Sequence, residues 1–206
     1  MPKLVLPFLP LLLIAIWIAM MVMGTGALDR SVLAFLYSGE EPAFRSAAAV
    51  ITLIGEWQSM LAVVAVAALW LLYRRRYRAA LLFVAATLSG RLLILLQKEA
   101  VGRMRPDAQE HLVVVKSLSF PSAHTANSMI VFLALAVFAA PERYRWPAVL
   151  LALLGTFVVG MSRPMLGVHW PSDVIGGWAF GAMWVLLFTR IFRVGSRAHS
   201  DGVQAK

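Results

Sequence analysis

The 206-residue chain contains no cysteine, and this absence removes several kinds of chemistry at once. Disulfide bonds, thiolate metal sites and a cysteine nucleophile are all excluded. Charge is also scarce, since 14% of the residues are Asp, Glu, Lys or Arg, whereas 61% are hydrophobic. One soluble core of this size cannot bury so much apolar surface. We therefore expect the lipid bilayer to be the solvent for most of the chain.

Acidic residues are the scarcer charged type, with 10 Asp and Glu against 19 Lys and Arg. The resulting charge of +9 could suit a nucleic-acid ligand. The basic residues, however, lie in short clusters between long apolar runs and do not follow one face of a domain. This pattern favours a membrane-topology signal, so we expect no nucleic acid and no obligate protein partner.

The apolar runs predict an all-α fold with six transmembrane helices in a single domain, residues 1–206. A bilayer core of about 30 Å requires about 20 apolar residues in helical form, and open strands cannot cross lipid. The predicted spans are residues 4–23, 57–73, 79–96, 124–140, 146–161 and 173–192. The first run could instead be a cleaved signal peptide, although it exceeds the usual apolar core of about 7–15 residues. Residues 27–56 are too polar to span, and we expect one or two short helices on the outer surface there.

The orientation follows from the charges between the predicted spans. Nearly all of the net positive charge lies on the side that carries both termini and the cluster Arg74, Arg75 and Arg76. The positive-inside rule makes that side cytoplasmic. We therefore expect an integral membrane protein, in a bacterium one of the inner membrane, whose other side faces the periplasm or the exterior.

Polar side chains gather at the outer ends of the predicted spans, where each is costly unless it is paired or functional. Three cations, Lys98, Arg105 and Arg163, suit the charge of a transferring phosphoryl group. Residues 121–124 place a hydroxyl and free backbone N–H groups at a helix start, which favours an anion. The remaining candidates are His124, His169 and Asp173.

The two histidines have an ordinary pKa suited to proton transfer near neutrality, so one should attack phosphorus and the other should donate a proton. Asp173 lies four residues after His169 and is close enough to orient the imidazole. A zinc site built from His124, His169 and Asp173 is the alternative, although three nearby cations oppose a divalent ion.

Three motifs resemble the signature of the type-2 phosphatidic acid phosphatase superfamily and cover about residues 91–181. They are Lys98-x6-Arg105-Pro106, then Pro121-Ser122-Ala123-His124, then Ser162-Arg163-x5-His169-x3-Asp173. The resemblance implies that His169 forms a phosphohistidine, that Asp173 orients it and that His124 protonates the leaving oxygen and later activates water. It also implies that no metal ion or cofactor is needed. The phosphate would be held by Lys98, Arg105, Ser122, Ala123 and Arg163, with alanine at 123 where glycine is more usual.

The expected function is hydrolysis of a phosphate monoester or diphosphate on a membrane lipid. Undecaprenyl diphosphate is the leading substrate, followed by phosphatidylglycerol phosphate and phosphatidic acid, with lipid A phosphate also considered. A phosphotransferase would use the same phosphohistidine. A lipid transporter should instead carry polar residues near mid-span.

Two further segments are less informative. The loop residues Arg103, Asp107, Glu110, His111 and Lys116 are expected to be solvated. Glu56 and Trp57 could seat a lipid head group, although an interfacial tryptophan belt explains Trp57 equally well.

Overall fold

The computed structural model describes residues 8–39 and 41–204, with side-chain surroundings described up to residue 190. Within these residues the chain is helical and contains no strand. The helices are α1 (Leu9–Met23), α2 (Ala27–Leu36), α3 (Pro42–Gly55), α4 (Trp57–Tyr73), α5 (Tyr77–Val101), α6 (Ala123–Phe138), α7 (Arg145–Met165) and α8 (Pro171–Gln204). A short 3-10 turn, Glu142–Tyr144, precedes α7. The predicted all-α class is therefore confirmed.

The helix ends follow local sequence signals. Prolines begin α3 and α8, where their missing N–H costs no helical hydrogen bond. Gly102 ends α5 with a φ of +65°, a conformation that glycine adopts without strain. Helix α5 runs five residues beyond the predicted span, because its last turn carries Lys98 and is polar but still helical.

The count of six spans is not confirmed. By length and composition, three helices could cross a bilayer: Tyr77–Val101, Glu142–Met165 and Pro171–Arg190. The count rises to five if two bent pairs each form one span, α1 with α2 at 94° and α3 with α4 at 46°. The predicted first span thus begins at Leu9 as a helix, and residues 4–7 lie outside the described residues.

Helix α6 is the predicted fourth span, but its 16 residues give about 24 Å of helix, short of the bilayer core. Eleven of those residues are buried, because α5, α7 and α8 pack around it. Gly177 and Gly181 allow α8 to approach α6 closely: a Cβ at Gly181 would lie 2.9 Å from the Ala126 carbonyl oxygen. A helix enclosed in this way meets protein along most of its length, so it does not need the length of a lipid-facing span.

The region between α1 and α4 forms two helices, where one or two were predicted, and both pack against other helices of the fold. Helix α3 packs against α7 and buries Ala48, Thr52 and Gly55. Helix α2 buries Asp29 and Leu33 and contacts α7 and α8. These helices therefore reach the ends of α7 and α8, where the predicted site residues lie.

Candidate active site

The predicted site residues converge from four parts of the chain. Lys98 lies in the last turn of α5 and Arg163 in the last turn of α7. Ser122 directly precedes α6, and His169 lies in the short connection before α8. All four are almost fully buried, with exposures between 0% and 2%. Charged groups at this depth require partners or a bound counter-charge.

Asp173 accepts four hydrogen bonds and is fully buried. Its Oδ2 atom lies 3.2 Å from His169 Nδ1 and accepts from Ser119 Oγ at 2.5 Å and from the Trp170 N–H at 3.0 Å. The predicted contact between His169 and Asp173 is therefore present. Because Nδ1–H donates to the carboxylate, the lone pair of the imidazole lies on Nε2.

The fourth donor to Asp173 is Arg103, whose Nη1 lies 2.8 Å from Oδ1. The prediction that Arg103 belongs to a solvated loop is wrong, since the residue is 9% exposed. Its Nη2 atom also donates to the carbonyls of Met20 and Met21, at 2.8 and 2.6 Å. These carbonyls end α1 and lack helical partners, so one guanidinium joins the end of a helix to the buried carboxylate. Asp107, Glu110, His111 and Lys116 are exposed, as expected.

Asp29 extends the hydrogen-bond network of Asp173 and Arg103. It was not identified from the sequence. Its Oδ1 accepts from the Ser172 N–H at 2.9 Å, and its Oδ2 accepts from the Ser172 hydroxyl and from the Thr25 N–H at 2.8 Å. Ser172 in turn lies 3.0 Å from Arg103 Nη1. A side chain at Gly24 would displace the Arg103 guanidinium, because a Cβ there would lie 2.4 Å from Arg103 Nη1.

The second ring nitrogen of His169, Nε2, faces Arg105. The Nη1 atom of Arg105 lies 3.1 Å from Nε2 and also donates to the Val168 carbonyl. Its Nε donates to the Ser117 carbonyl at 2.7 Å. Burial, followed by the charge of Arg105, lowers the pKa of His169 well below its usual range. Burial likewise lowers the pKa of Arg105 to about 10, so at neutral pH the arginine is charged and the histidine is neutral.

Lys98, Ser122 and Ala123 are three further phosphate-binding candidates. Lys98 donates to the carbonyls of Leu118 and Ser119, the latter at 3.2 Å. Ser122 accepts a hydrogen bond from Thr125 at 3.0 Å, and its side chain does not cap α6. The backbone N–H groups at the start of α6, including that of Ala123, are therefore free of side-chain caps and suited to an anion.

Arg163 is the largest of the fully buried side chains in the site. It donates through Nη1 to Thr52 of α3, while its Nε is buried and has no partner among the described residues. A buried guanidinium nitrogen without a partner is costly, and an oxyanion would satisfy it. Thr52 was not identified from the sequence, since it lies 111 residues away.

His124 makes fewer polar contacts than His169. Its Nε2 is 3.2 Å from Glu56 Oε1, within ion-pair distance, but the angles do not form a hydrogen bond. The break between α3 and α4 packs directly on the ring, because a Cβ at Gly55 would lie 2.9 Å from His124 Cδ2. Glu56, considered from the sequence for a head group, therefore lies beside the second histidine.

The zinc alternative finds no geometric support in the described residues, where no three His, Asp or Glu side chains are grouped as ligands. His169 and Asp173 instead contact each other directly, while Arg103 pairs with Asp173 and Arg105 faces His169 Nε2. Whether the reaction needs a metal ion stays a prediction.

The chain is similar to known proteins along most of its length. The family model described as PAP2 superfamily matches residues 79–196. Lipid A 1-phosphatase of Rhizobium johnstonii is 38% identical over 122 residues, which cover 55% of this chain and 47% of that protein. The chain thus spans about half the length of this relative. Phosphatidylglycerophosphatase B of Bacillus subtilis is 30% identical over 138 residues, covering 65% of this chain and 68% of the relative.

One solved structure extends the likeness to the whole fold. The crystal structure of a transmembrane PAP2 type phosphatidylglycerolphosphate phosphatase from Bacillus subtilis matches with a TM-score of 0.84. The match covers 90% of this chain and 96% of that chain, at 24% sequence identity. The helices described above therefore have the arrangement of a membrane-embedded phosphatase.

Proposed function

Because this chain belongs to the PAP2 superfamily, we propose that it removes a phosphate group from a membrane lipid through a phosphohistidine on His169. The observation that carries the proposal is the orientation of that imidazole, which contacts at both ring nitrogens determine. Nδ1 is held by Asp173 at 3.2 Å, and the Nε2 lone pair is directed at Arg105 at 3.1 Å. A nucleophile oriented by a carboxylate and facing a cation is suited to attack on phosphorus.

In the first step, His169 Nε2 forms a bond to phosphorus while the bond between phosphorus and the lipid oxygen breaks. His124, in its protonated form, gives its proton to that departing oxygen, so the lipid leaves as a neutral alcohol or, from a diphosphate, as the lipid monophosphate. In the second step, a water molecule attacks phosphorus and gives a proton to His124. The bond between phosphorus and Nε2 breaks, inorganic phosphate leaves, and both histidines return to their starting states.

The phosphoryl oxygens would be held by charge and by the start of α6. Lys98, Arg105 and Arg163 supply three cations, of which Arg163 has an unpartnered Nε. Ser122 and the N–H of Ala123 supply uncharged donors. These groups can neutralise the charge on the equatorial oxygens, so we expect no metal ion or cofactor to be needed.

The substrate is proposed to be a lipid phosphate or diphosphate whose tail stays in the membrane. Undecaprenyl diphosphate remains the leading proposal, and the activity of the Bacillus subtilis relatives supports phosphatidylglycerol phosphate as the next. Phosphatidic acid and lipid A phosphate complete the panel. We place the protein in a bacterial inner membrane with cytoplasmic termini and an active site on the periplasmic side, as the charge distribution favours.

The test is phosphate release by detergent-purified protein from these four lipids, with EDTA present and with His169→Ala as the control. Release that the variant loses supports the histidine mechanism, and an unchanged rate in EDTA supports a metal-free reaction. A rate that EDTA removes would restore the zinc alternative. Release of the dephosphorylated lipid without inorganic phosphate, together with phosphorylation of an added acceptor lipid, would identify a phosphotransferase.

A further inference from the structure

Arg91 is a charged residue within α5 that the proposed reaction does not use. It lies seven residues before Lys98, which places it on the same helix face and about 10 Å deeper along the helix. Its side chain is half-buried. Its guanidinium carbon lies 5.1 Å from the centre of the Trp57 ring. The described part of the chain offers that guanidinium no hydrogen bond or ion pair.

An intramembrane charge of this kind is expensive and is retained where it binds something. A stacked aromatic ring offsets part of the cost but leaves the five N–H donors of the guanidinium free. Such a fork of donors fits the oxygens of a phosphate group. The stacked ring also fixes the plane of the guanidinium, which orients the donors.

The position of Arg91 relates it to one side of the reaction. His124, the proposed proton donor to the leaving oxygen, packs against Gly55 and lies 3.2 Å from Glu56. Trp57 follows Glu56 in the sequence, and the Arg91 guanidinium stacks on the Trp57 ring. In an in-line displacement the leaving group departs on the side opposite His169. Arg91 is therefore linked, through Trp57 and Glu56, to the residue proposed to act on the leaving group.

The charges around Arg91 are consistent with an anion there. Arg91 is close enough to act electrostatically on both Lys98 and His124. Four cations thus act on His124, one more than the proposed phosphate-binding set contains. The nearby carboxylate, Glu56, faces His124 and acts on Arg163, and it forms no ion pair with Arg91.

We propose that Arg91, oriented by Trp57, binds a second phosphate on the leaving-group side of the substrate. This inference rests on the proposed function and deepens it, because it selects a substrate class. The preferred lipid carries two phosphates, either as a diphosphate or as a monoester joined to a phosphodiester. A lipid with a single phosphate monoester leaves this site unused.

The test compares matched lipids that differ in the second phosphate. One pair is a prenyl diphosphate and the prenyl monophosphate with the same tail. The other pair is phosphatidylglycerol phosphate and phosphatidic acid with the same acyl chains. For each pair, kcat/KM is measured for the wild type, Arg91→Gln and Arg91→Lys. Arg74→Gln is the control, because Arg74 stacks on Trp70 in the same manner at the other end of α4, 6.0 Å from the ring centre.

We expect Arg91→Gln to lower the ratio of kcat/KM on two-phosphate and one-phosphate lipids at least about tenfold in both pairs, the loss typical of one charge-assisted contact. Arg91→Lys should restore part of the ratio, and Arg74→Gln should leave it unchanged. An unchanged ratio in Arg91→Gln overturns the inference, whether the separate rates fall or not. Because rates on the one-phosphate lipids are measured in parallel, a misfolded variant is recognised by their complete loss, and Arg91→Lys then decides by the same ratio.

The outcome also separates this inference from the proposal on which it rests. A wild type that hydrolyses all four lipids, with no change of ratio in the Arg91 variants, retains the phosphatase function and removes the second phosphate site. A wild type that releases phosphate from none of them overturns both.

Discussion

His169 and His124 have very different surroundings, although both belong to one proposed reaction. His169 is 1% exposed and has partners at both ring nitrogens. Its carboxylate partner, Asp173, accepts four hydrogen bonds. His124 makes a single ion-pair contact with Glu56, whose side chain is 45% exposed.

This difference matches what each side of the reaction requires. The nucleophile performs the same displacement on every substrate, so fixed geometry lowers the cost of reaching the transition state. The proton donor must serve leaving groups of different size, and a histidine held by fewer polar contacts can adjust to them. We infer that the His169 side determines the rate of attack and that the His124 side determines which lipid is accepted.

The largest effect should come from His169→Ala, which removes the attacking nitrogen. We expect kcat/KM to fall by at least about 10³-fold on every lipid, because no other group replaces the nucleophile. The measurement is phosphate release together with trapping of the phosphoenzyme in acid-quenched samples. Activity within tenfold of the wild type would show that another residue attacks phosphorus.

His124→Ala tests the other half of the comparison. Loss of the proton donor should lower kcat/KM on a lipid alkyl phosphate by about 10²–10³-fold. The loss should be much smaller for an aryl phosphate such as p-nitrophenyl phosphate, whose leaving group needs no proton. Equal losses on the two substrates would contradict the role of His124 as the acid.

Arg103→Gln should weaken the hold of Asp173 on His169, at a position that does not contact the substrate. Asp173 would keep its neutral donors but lose its buried cation, so we expect kcat to fall about 10–100-fold with little change in KM. Arg103→Lys should recover part of the loss. Asp29→Asn should have a smaller effect of the same kind, while the exposed neighbour Arg30→Gln serves as control. An increase in KM alone would place Arg103 among the substrate contacts instead.

The smallest expected effect is a shift in pH dependence. Because the pKa of His169 lies well below 6.5, its imidazole stays neutral and nucleophilic as the pH falls through that value. Arg105→Gln removes the largest charge that lowers this pKa, so the acid limb of phosphoenzyme formation should move to higher pH. Arg105→Lys keeps the charge and should keep the limb near its wild-type position. An acid limb that is identical in wild type and Arg105→Gln would contradict this electrostatic role.

The sequence predicted those features that depend on local pattern. Hydropathy predicted most of the helices, and motif spacing predicted one site for Lys98, Arg105, His124, Arg163, His169 and Asp173. It did not separate Arg103 from the solvated loop, because the partner of Arg103 lies 70 residues away. Asp29 and Ser172 are 143 residues apart, so their hydrogen bonds depend on how α2 folds back after the 94° bend. Neither the bend nor the short enclosed helix α6 has a signature in hydropathy.

Helices α2 and α3 both contribute side chains to the site, and this has a consequence for protein engineering. Asp29, Thr52 and Glu56 lie before residue 79, where the match to the family begins. The residues proposed to perform the reaction and the residues of α2 and α3 that contact them thus lie in separate segments of the chain. A chimera that exchanges residues 27–57 with those of a relative should alter lipid preference while the motifs stay in place. It should remain active only where the donor segment supplies a carboxylate for Ser172 and a hydroxyl for Arg163.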